Sequence, residues 1–419
     1  MWRFIRGVCL VACFAAGITC QAQAQKSLTW DEVKSQFEAN NPTLRAGQIG
    51  IDESKANEIT AYLRPNPNLA LLSDQIDPFP GGPAHGTFAY WLASATVSYL
   101  HERQRKRELR LDSAQQATGI AVSSQADLER GLLFNLRGAF VATLQAKAVL
   151  KVAQANLEYW DKVLSISRDR YHAGDIAQID LDRLELQRVQ FESDLQTAEV
   201  NLRTAKIQVL LLLNDRTPID QFDVFGLFDF SDQLSSLDEF RKIALETRPD
   251  LKAAAQAVEK ANTDHKLAVA NGSTDPTFSA DVGRNPPIDQ YFGVGVSIPL
   301  RIFDRNQGEK QRTQLDIDRN QKLLDAATAQ VFSDVDSAYA LVNSNVILLR
   351  PYKEKYLEQA VRVRETVRFS YEHGGAALLD FINAENDFRS VELNYVNLIG
   401  AYLTAAAQLN MAVGREAIQ

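Results

Sequence analysis

Apolar and polar residues alternate through two short runs of this chain. Phe278, Ala280 and Val282 alternate with Ser279, Asp281 and Gly283, and Phe292, Val294, Val296 and Ile298 alternate with Tyr291, Gly293, Gly295 and Ser297. One face is apolar and the other small or polar, the pattern of a strand with one side against lipid. An earlier strand pair is expected at Leu69 to Leu72 and within Phe88 to Tyr99, where the alternation is less regular. The stretch from Asp74 to Thr87 joins that pair through Pro78, Pro80, Gly81, Gly82, Pro83 and Gly86, a long irregular loop. Asn285-Pro286-Pro287 makes a shorter one.

The remaining pattern is helical and unusually long. Helices are expected near 28–62, 104–172 and 177–213, and again near 237–271, 305–373 and 376–413. Neither Gly nor Pro occurs from Ala139 to Ala173, from Asp175 to Thr217 or from Glu309 to Arg350. Pro351 should then kink or locally break its helix. A helix of about 69 residues spans roughly 100 Å, far beyond the globular average. The two shorter helices of each half add up to about the same length. Laid end to end beside the long one, they would make a two-rod layer suited to a cylinder wall. Alanine along Ala139, Ala142, Ala146, Ala148, Ala153 and Ala155 fits either close rod packing or simple helix propensity.

Self-similarity organises these elements. Tyr171-His172-Ala173-Gly174 with Asp180 matches Tyr371-Glu372-His373-Gly374 with Asp380 at an offset of 200. Each interrupts a helical run with a glycine and then lets it resume, as a helical hairpin tip would. Thr29-Trp30-Asp31-Glu32 and Ser236-Leu237-Asp238-Glu239 are both capping-box helix starts. Asn41-Pro42 and Arg248-Pro249, then Val97-Ser98 and Val296-Ser297, follow in the same order. The expected division is a signal at 1–24, a first repeat at 25–214, a linker at 215–235, a second repeat at 236–413 and a tail at 414–419. Four strands per chain cannot close a barrel by themselves, and open edges do not survive in lipid. The strands would therefore be pooled among several copies, or form a small soluble sandwich of two hairpins.

Composition narrows the setting. The chain has 419 residues, 45% hydrophobic and 23% charged, with a net charge of −8 that speaks against a nucleic-acid partner. Arg3 and Arg6, the apolar run Val8 to Ile18 and Ala22-Gln23-Ala24 read as a cleaved export signal. Beyond it, no stretch is expected to be apolar enough for a membrane-spanning helix. The three cysteines, Cys9, Cys13 and Cys20, all fall in or beside the signal, so cleavage leaves no disulfide. Cys20 could alternatively be lipidated, although Gly17-Ile18-Thr19 departs from the usual preceding box.

Candidate chemistry is sparse. His85, His101, His172, His265 and His373 show no metal-ligand spacing, and Met411 is the sole methionine besides Met1. No metal, cofactor or catalytic residue is assigned, and no P-loop, Rossmann fingerprint or nucleophile–base grouping is evident, so an enzyme is not expected. Arg103, Arg105, Lys106, Arg107 and Arg110 cluster just after a strand. They could face phosphate-bearing head groups or form the solvated start of a helix.

The duplicated unit, the two X-Pro steps and Arg64-Pro65-Asn66-Pro67 resemble the TolC-type outer-membrane efflux proteins over essentially the whole mature chain. So do Val296-Ser297-Ile298-Pro299-Leu300 and Phe303-Asp304-Arg305-Asn306-Gln307-Gly308-Glu309, the last run resembling the heavy-metal and cation branch. That resemblance implies a mainly helical chain with a small β part. It implies a homotrimer with a twelve-stranded outer-membrane β-barrel, four strands per chain, above a long periplasmic helical tunnel. Its partners would be outer-membrane lipid, a periplasmic adaptor docking on the tips around Tyr171, Gly174, Asp180, Tyr371 and Gly374, and an inner-membrane pump, the RND type included. Family members carry an acidic residue at the place of Asp380 that narrows the periplasmic entrance, and often a second one where this chain has Asn383. Asp380 is therefore either a gate carboxylate or an ordinary helix-start aspartate favoured by the dipole. The family's Gly-rich turn before Lys-Arg is replaced here by Glu102-Arg103-Gln104-Arg105-Lys106-Arg107. The function implied is a passive conduit for metal cations, drugs or other small molecules. A periplasmic coiled-coil adaptor or scaffold outside the membrane is the alternative.

Overall fold

The computed structural model describes residues 26–75 and 91–418. The export signal, Cys20, most of the loop from Asp74 to Thr87 with His85, and the first residues of the run from Phe88 lie outside the described residues.

A short strand β1 (Lys26–Leu28) opens the described chain, followed by α1 (Trp30–Asn40) and α2 (Pro42–Tyr62). The Thr29 capping box starts α1, its backbone N–H donating to Glu32 Oε2 at 2.8 Å. The single helix expected over 28–62 is two helices, because the residue before a proline is driven out of the α region. Asn41 takes φ −67° and ψ 120° and caps α2 by accepting from the N–H groups of Thr43 and Leu44. Strands β2 (Asn68–Asp74) and β3 (Leu92–Leu100) lead to α3 (Lys106–Ala173), one unbroken helix of 68 residues. The chain turns at Gly174 into α4 (Gln178–Leu213), then enters β4 (Phe222–Val224).

The second half repeats this order. α5 (Leu237–Thr247) and α6 (Pro249–Asn271) are again parted before a proline, here at Arg248, correcting the expected single helix over 237–271. Strands β5 (Thr277–Asn285) and β6 (Ile288–Ser297) precede α7 (Gln307–Pro351). Pro351 has no N–H to return to Ile347, and the helix widens into one π turn at 352–356 before α8 (Leu357–Glu372). α9 (Leu378–Val413) completes the second hairpin.

Helices α2 and α4 both lie against α3, and α6 lies against α7 and α3. α9 packs on α7, α8 and α3, so the halves share a wall. α9 corrects the expectation that nothing past the signal has the length and apolarity of a membrane span. It has both, and 61% of its most apolar window is buried inside the fold, where Ile399, Tyr402, Leu403 and Leu409 meet Val331, Val335, Val342 and Leu349. A second core joins Leu28, Phe37, Leu136, Phe140, Val209 and Val224. A third stands apart at the hairpin tips.

The linker region holds a feature the sequence pattern missed: β4 pairs in parallel with β1, Leu28 opposite Val224. Lys147 and Lys206 both reach Asp223 there, at 2.6 and 3.3 Å, and Lys206 also donates to Phe222 O. Three residues of strand are too short to announce themselves by periodicity.

The four longer strands form one antiparallel sheet in the order β2-β3-β5-β6, rather than two separate hairpins in a sandwich. Register explains the blurred alternation of β3. Leu69, Val97, Ala280 and Val294 stand on one row, and Leu71, Ala95, Val282 and Phe292 on another. The apolar face of β3 is thus carried partly by alanine, which hides it from a hydrophobicity pattern. Ser94, Thr96, Ser98, Ser279, Asp281, Gly293 and Gly295 take the opposite face.

Candidate functional site

The two tips are built alike by helix-terminus geometry. Gly174 sits at φ 85° and Gly374 at φ 76°, left-handed positions that close each helix. The N–H of Asp175 donates to Arg170 O at 2.8 Å, and that of Gly375 to Ser370 O at 2.7 Å. A Cβ at either glycine would meet nothing within 4 Å, so only the backbone conformation selects glycine there. One turn onward, Ile179 and Leu379 occupy matching positions and are both exposed.

Beneath the turns the hairpins share a core. Trp160, Leu164, Leu184 and Phe381 are fully buried, and the Trp160 indole N–H donates to Leu184 O at 2.9 Å. Tyr171 and Tyr371 are half-buried against this cluster, Tyr371 stacking on Phe381 with centroids 5.0 Å apart. Arg170 of the first tip lies 5.5 Å over the Tyr371 ring. Burial pushes the Tyr371 hydroxyl up from its ordinary value. The tyrosines therefore bind hairpin to hairpin, whereas the turns themselves face outward.

The acidic candidates differ. Asp180 stands 3.9 Å from Arg183 on its own helix. Asp380 is exposed, forms no ion pair among the described residues, and accepts a hydrogen bond from the Ala377 N–H at 3.3 Å. Its carboxylate thus does serve the start of α9, while presenting its charge outward. Asn383, one turn later, is exposed as well.

Sequence reasoning missed the polar contact deeper in the tip. The Tyr159 hydroxyl of α3 donates to Glu385 Oε1 of α9 at 2.9 Å, and Glu385 is buried. Burial pushes the Glu385 carboxyl up from its ordinary value, against the opposing pull of the Tyr159 hydrogen bond and Arg364. Burial likewise raises the Tyr159 hydroxyl, helped by the Glu385 carboxylate. Arg364 stacks over Phe388 at 3.9 Å, and the Nε atoms of Arg364 and Arg368 are buried without a hydrogen-bond partner. A tyrosine beside one of only four tryptophans, Tyr159-Trp160, was the available signal.

At the other end, most of the basic cluster after β3 is engaged within the fold, while Arg105 stays exposed at the start of α3. Lys106 is buried, donating to Ser273 O at 3.0 Å and pairing with Asp275 at 2.6 Å. Arg103 donates to Thr274 O at 2.9 Å, Arg110 holds Glu102 at 2.9 Å, and Arg107 lies 4.3 Å over Tyr62. Arg103 and Lys106 thus tie the first strand–helix junction to the second, while Arg107 and Arg110 hold the end of α2 and Glu102. The turn preceding them is made by Gln104 and Arg105 at φ 59° and 55°, two left-handed residues where glycine would be easier. Asn306 makes the matching turn before α7 at φ 62°. His373 Nδ1 lies 2.8 Å from Phe369 O and His265 Nδ1 2.9 Å from Thr313 Oγ1, and the described residues bring no three potential ligands together for a metal.

Residues 241–415 match the family described as outer membrane efflux protein. The chain is 21% identical to the cobalt-zinc-cadmium resistance protein CzcC of Cupriavidus metallidurans, over 94% of this chain and 91% of that one. It is 21% identical to the outer membrane protein TolC of Escherichia coli, over 97% and 85%. Among solved structures, CusC superposes with a TM-score of 0.76 at 17% identity, covering 92% of each chain. The MtrE outer membrane channel of Neisseria gonorrhoeae, captured in its open state, gives 0.75 at 18%, covering 92% and 88%. Such identities carry the fold, and the fold is shared along nearly the whole length of these chains. With its duplicated helical hairpins and four-stranded sheet, the chain has the fold of these outer-membrane channels, and its second half, residues 241–415, is similar to the outer membrane efflux protein family.

Proposed function

We propose that this chain is the outer-membrane channel of a tripartite efflux system, a homotrimer in which three four-stranded sheets close one twelve-stranded barrel. The observation that carries the proposal is the bare apolar face of the sheet. Leu69, Leu71, Val97, Val282, Phe292, Val294 and Val296 are each at least half exposed, on strands whose other face is small and polar. Water penalises such a face by about 25 cal/mol per Å², whereas a bilayer accepts it. β2 and β6 are the edges of the sheet. Lipid offers no hydrogen-bond partner to an open edge, so β6 of one copy pairs with β2 of the next until the ring closes. A scaffold that stays out of the membrane has no use for this surface.

The helical body then hangs into the periplasm, α3 alone reaching roughly 100 Å. Its tips dock a periplasmic adaptor through the outward turns at Gly174 and Gly374, Asp180 and the exposed Ile179 and Leu379, while Tyr171 and Tyr371 pack into the core beneath. The three copies of Asp380 narrow the entrance, with Asn383 supplying a neutral second layer. The inner-membrane pump provides the energy and the channel none. The cargo is a metal cation or another small molecule; the likeness to CzcC, a cobalt-zinc-cadmium resistance protein by name, favours the cation.

The test is fractionation of cells making the full-length protein, followed by detergent extraction and mass determination of the intact particle. A trimer in the outer-membrane fraction is the expected result. A soluble periplasmic monomer or dimer overturns the proposal and favours the scaffold.

A further inference from the structure

We propose that Asp281 sets the charge selectivity of the barrel lumen, making the outer exit prefer cations. The inference rests on the reading of three copies closing one barrel, which turns the small polar face of the sheet inward. Asp281 pairs with Thr96 on one side and with Gly293 on the other, in the middle of β5. Its side chain has neither a hydrogen bond nor an ion pair among the described residues. Its neighbours on that face are Ser279 and Gly283 along its own strand and Ser94, Ser98 and Gly295 across the pairs.

The sheet makes room for the carboxylate. A Cβ on Gly293 would come within 2.7 Å of Asp281 Oδ1, so a larger residue there would displace it. Glycine lets the carboxylate lie over the neighbouring strand, on the small polar face, with no cation beside it among the described residues. Opposing charge is missing as well. Arg284 is the single basic residue in the four strands, and its register opposite Ala93 puts it on the apolar face, 3.7 Å from Asp289. Asp74, opposite Leu92, adds a second carboxylate to the inward face at the outer end of β2.

Threefold closure brings three such unpaired carboxylates to one level of the lumen. A twelve-stranded barrel lies between barrels filled by their own side chains and open aqueous pores. Fields decay over about 8–10 Å in physiological salt, so three charges facing a narrow lumen act across much of it. Cations are concentrated there and anions excluded, without any ion being bound tightly enough to slow its release.

The experiment is reversal-potential measurement on purified trimers in planar bilayers under a low-salt KCl gradient. Because barrel and helical tips stand in series, it is run in the wild-type and Asp380→Ala backgrounds. Asp281→Asn is expected to bring the cation-over-anion permeability ratio down towards about one, and Asp281→Lys to invert the preference. Unchanged ratios in assembled Asp281→Asn trimers overturn the inference, whatever becomes of the lysine variant. If wild-type particles conduct no ions and are not trimeric, the barrel reading falls instead.

Discussion

The Trp160 indole lies nearly parallel to the Phe381 ring, centroids 6.0 Å apart and planes 13° from parallel, so an aromatic contact joins the two hairpins beside the Tyr159–Glu385 hydrogen bond. Phe191 adds a tilted ring 5.1 Å from Trp160, and Tyr371 completes the stack from the other side of Phe381. This tip core is separate from the two mid-body cores. Phe381→Ala should cost about 3–5 kcal/mol locally. Hydrogen exchange would then rise in α4 and α9 near the tip while the middle of α3 stays protected. Uniform loss of protection along α3 would show that the tip is not an independent unit.

Glu385 gives the tip a pH dependence with a definite sign. Its folded carboxyl is raised by burial above the ordinary glutamate value, so the folded tip binds the proton more tightly than the unfolded chain. Stability therefore falls as pH rises from the ordinary glutamate value through the raised one. Glu392, also raised by burial, contributes with the same sign. Glu385→Gln keeps an acceptor for Tyr159 and carries no charge. Melting of the solubilised protein across that range should show a smaller decline for the variant than for wild type. Equal slopes would remove Glu385 as the source.

Asp380 combines a helix start with an outward charge, and two substitutions separate the roles. Asp380→Asn keeps an oxygen acceptor for the Ala377 N–H and removes the charge. Asp380→Ala removes both, at a helix cost of about 0.5–2 kcal/mol. If the carboxylates close the entrance, both variants raise single-channel conductance. If only alanine does so, the helix start matters and the charge does not.

At the glycine turns, a valine would meet open space yet have to adopt a left-handed backbone, at a cost of about 1–2 kcal/mol. Gly174→Val and Gly374→Val are expected to assemble as trimers and to lose adaptor binding, read by co-purification or cross-linking. Asparagine, which tolerates that conformation, should retain it. Loss of the trimer in the valine variants would assign these glycines to folding instead.

Much of the architecture was legible because helices this long and strands this regular write their period into the sequence. The repeat was legible too, and the structure shows what two of its landmarks do. Asn41 Nδ2 donates to Leu212 O at 3.1 Å, and Arg248 Nη1 donates to Ala412 O at 3.3 Å. Each pre-proline residue thus holds the last turn of the helix that ends its own half. The side chains differ because their surroundings do. Arg248 is buried with Asp250 at 2.6 Å and Asp334 at 2.8 Å. Burial alone would raise the Asp250 carboxyl, and the Arg248 guanidinium instead holds it below the usual range.

By itself, the order of residues determined the helices, the two glycine turns and the apolar face of β5 and β6. These depend on neighbours within a few positions, through periodicity, proline's missing N–H and glycine's free φ. Only the tertiary structure decided that Lys106 would find Asp275, that Tyr159 would find Glu385 and that Val97 would sit beside Ala280. Those partners are far apart in the chain, and nothing local marks a charge for burial or an alanine for a lipid-facing row. Packing two halves against each other and pairing β3 with β5 supplied that information.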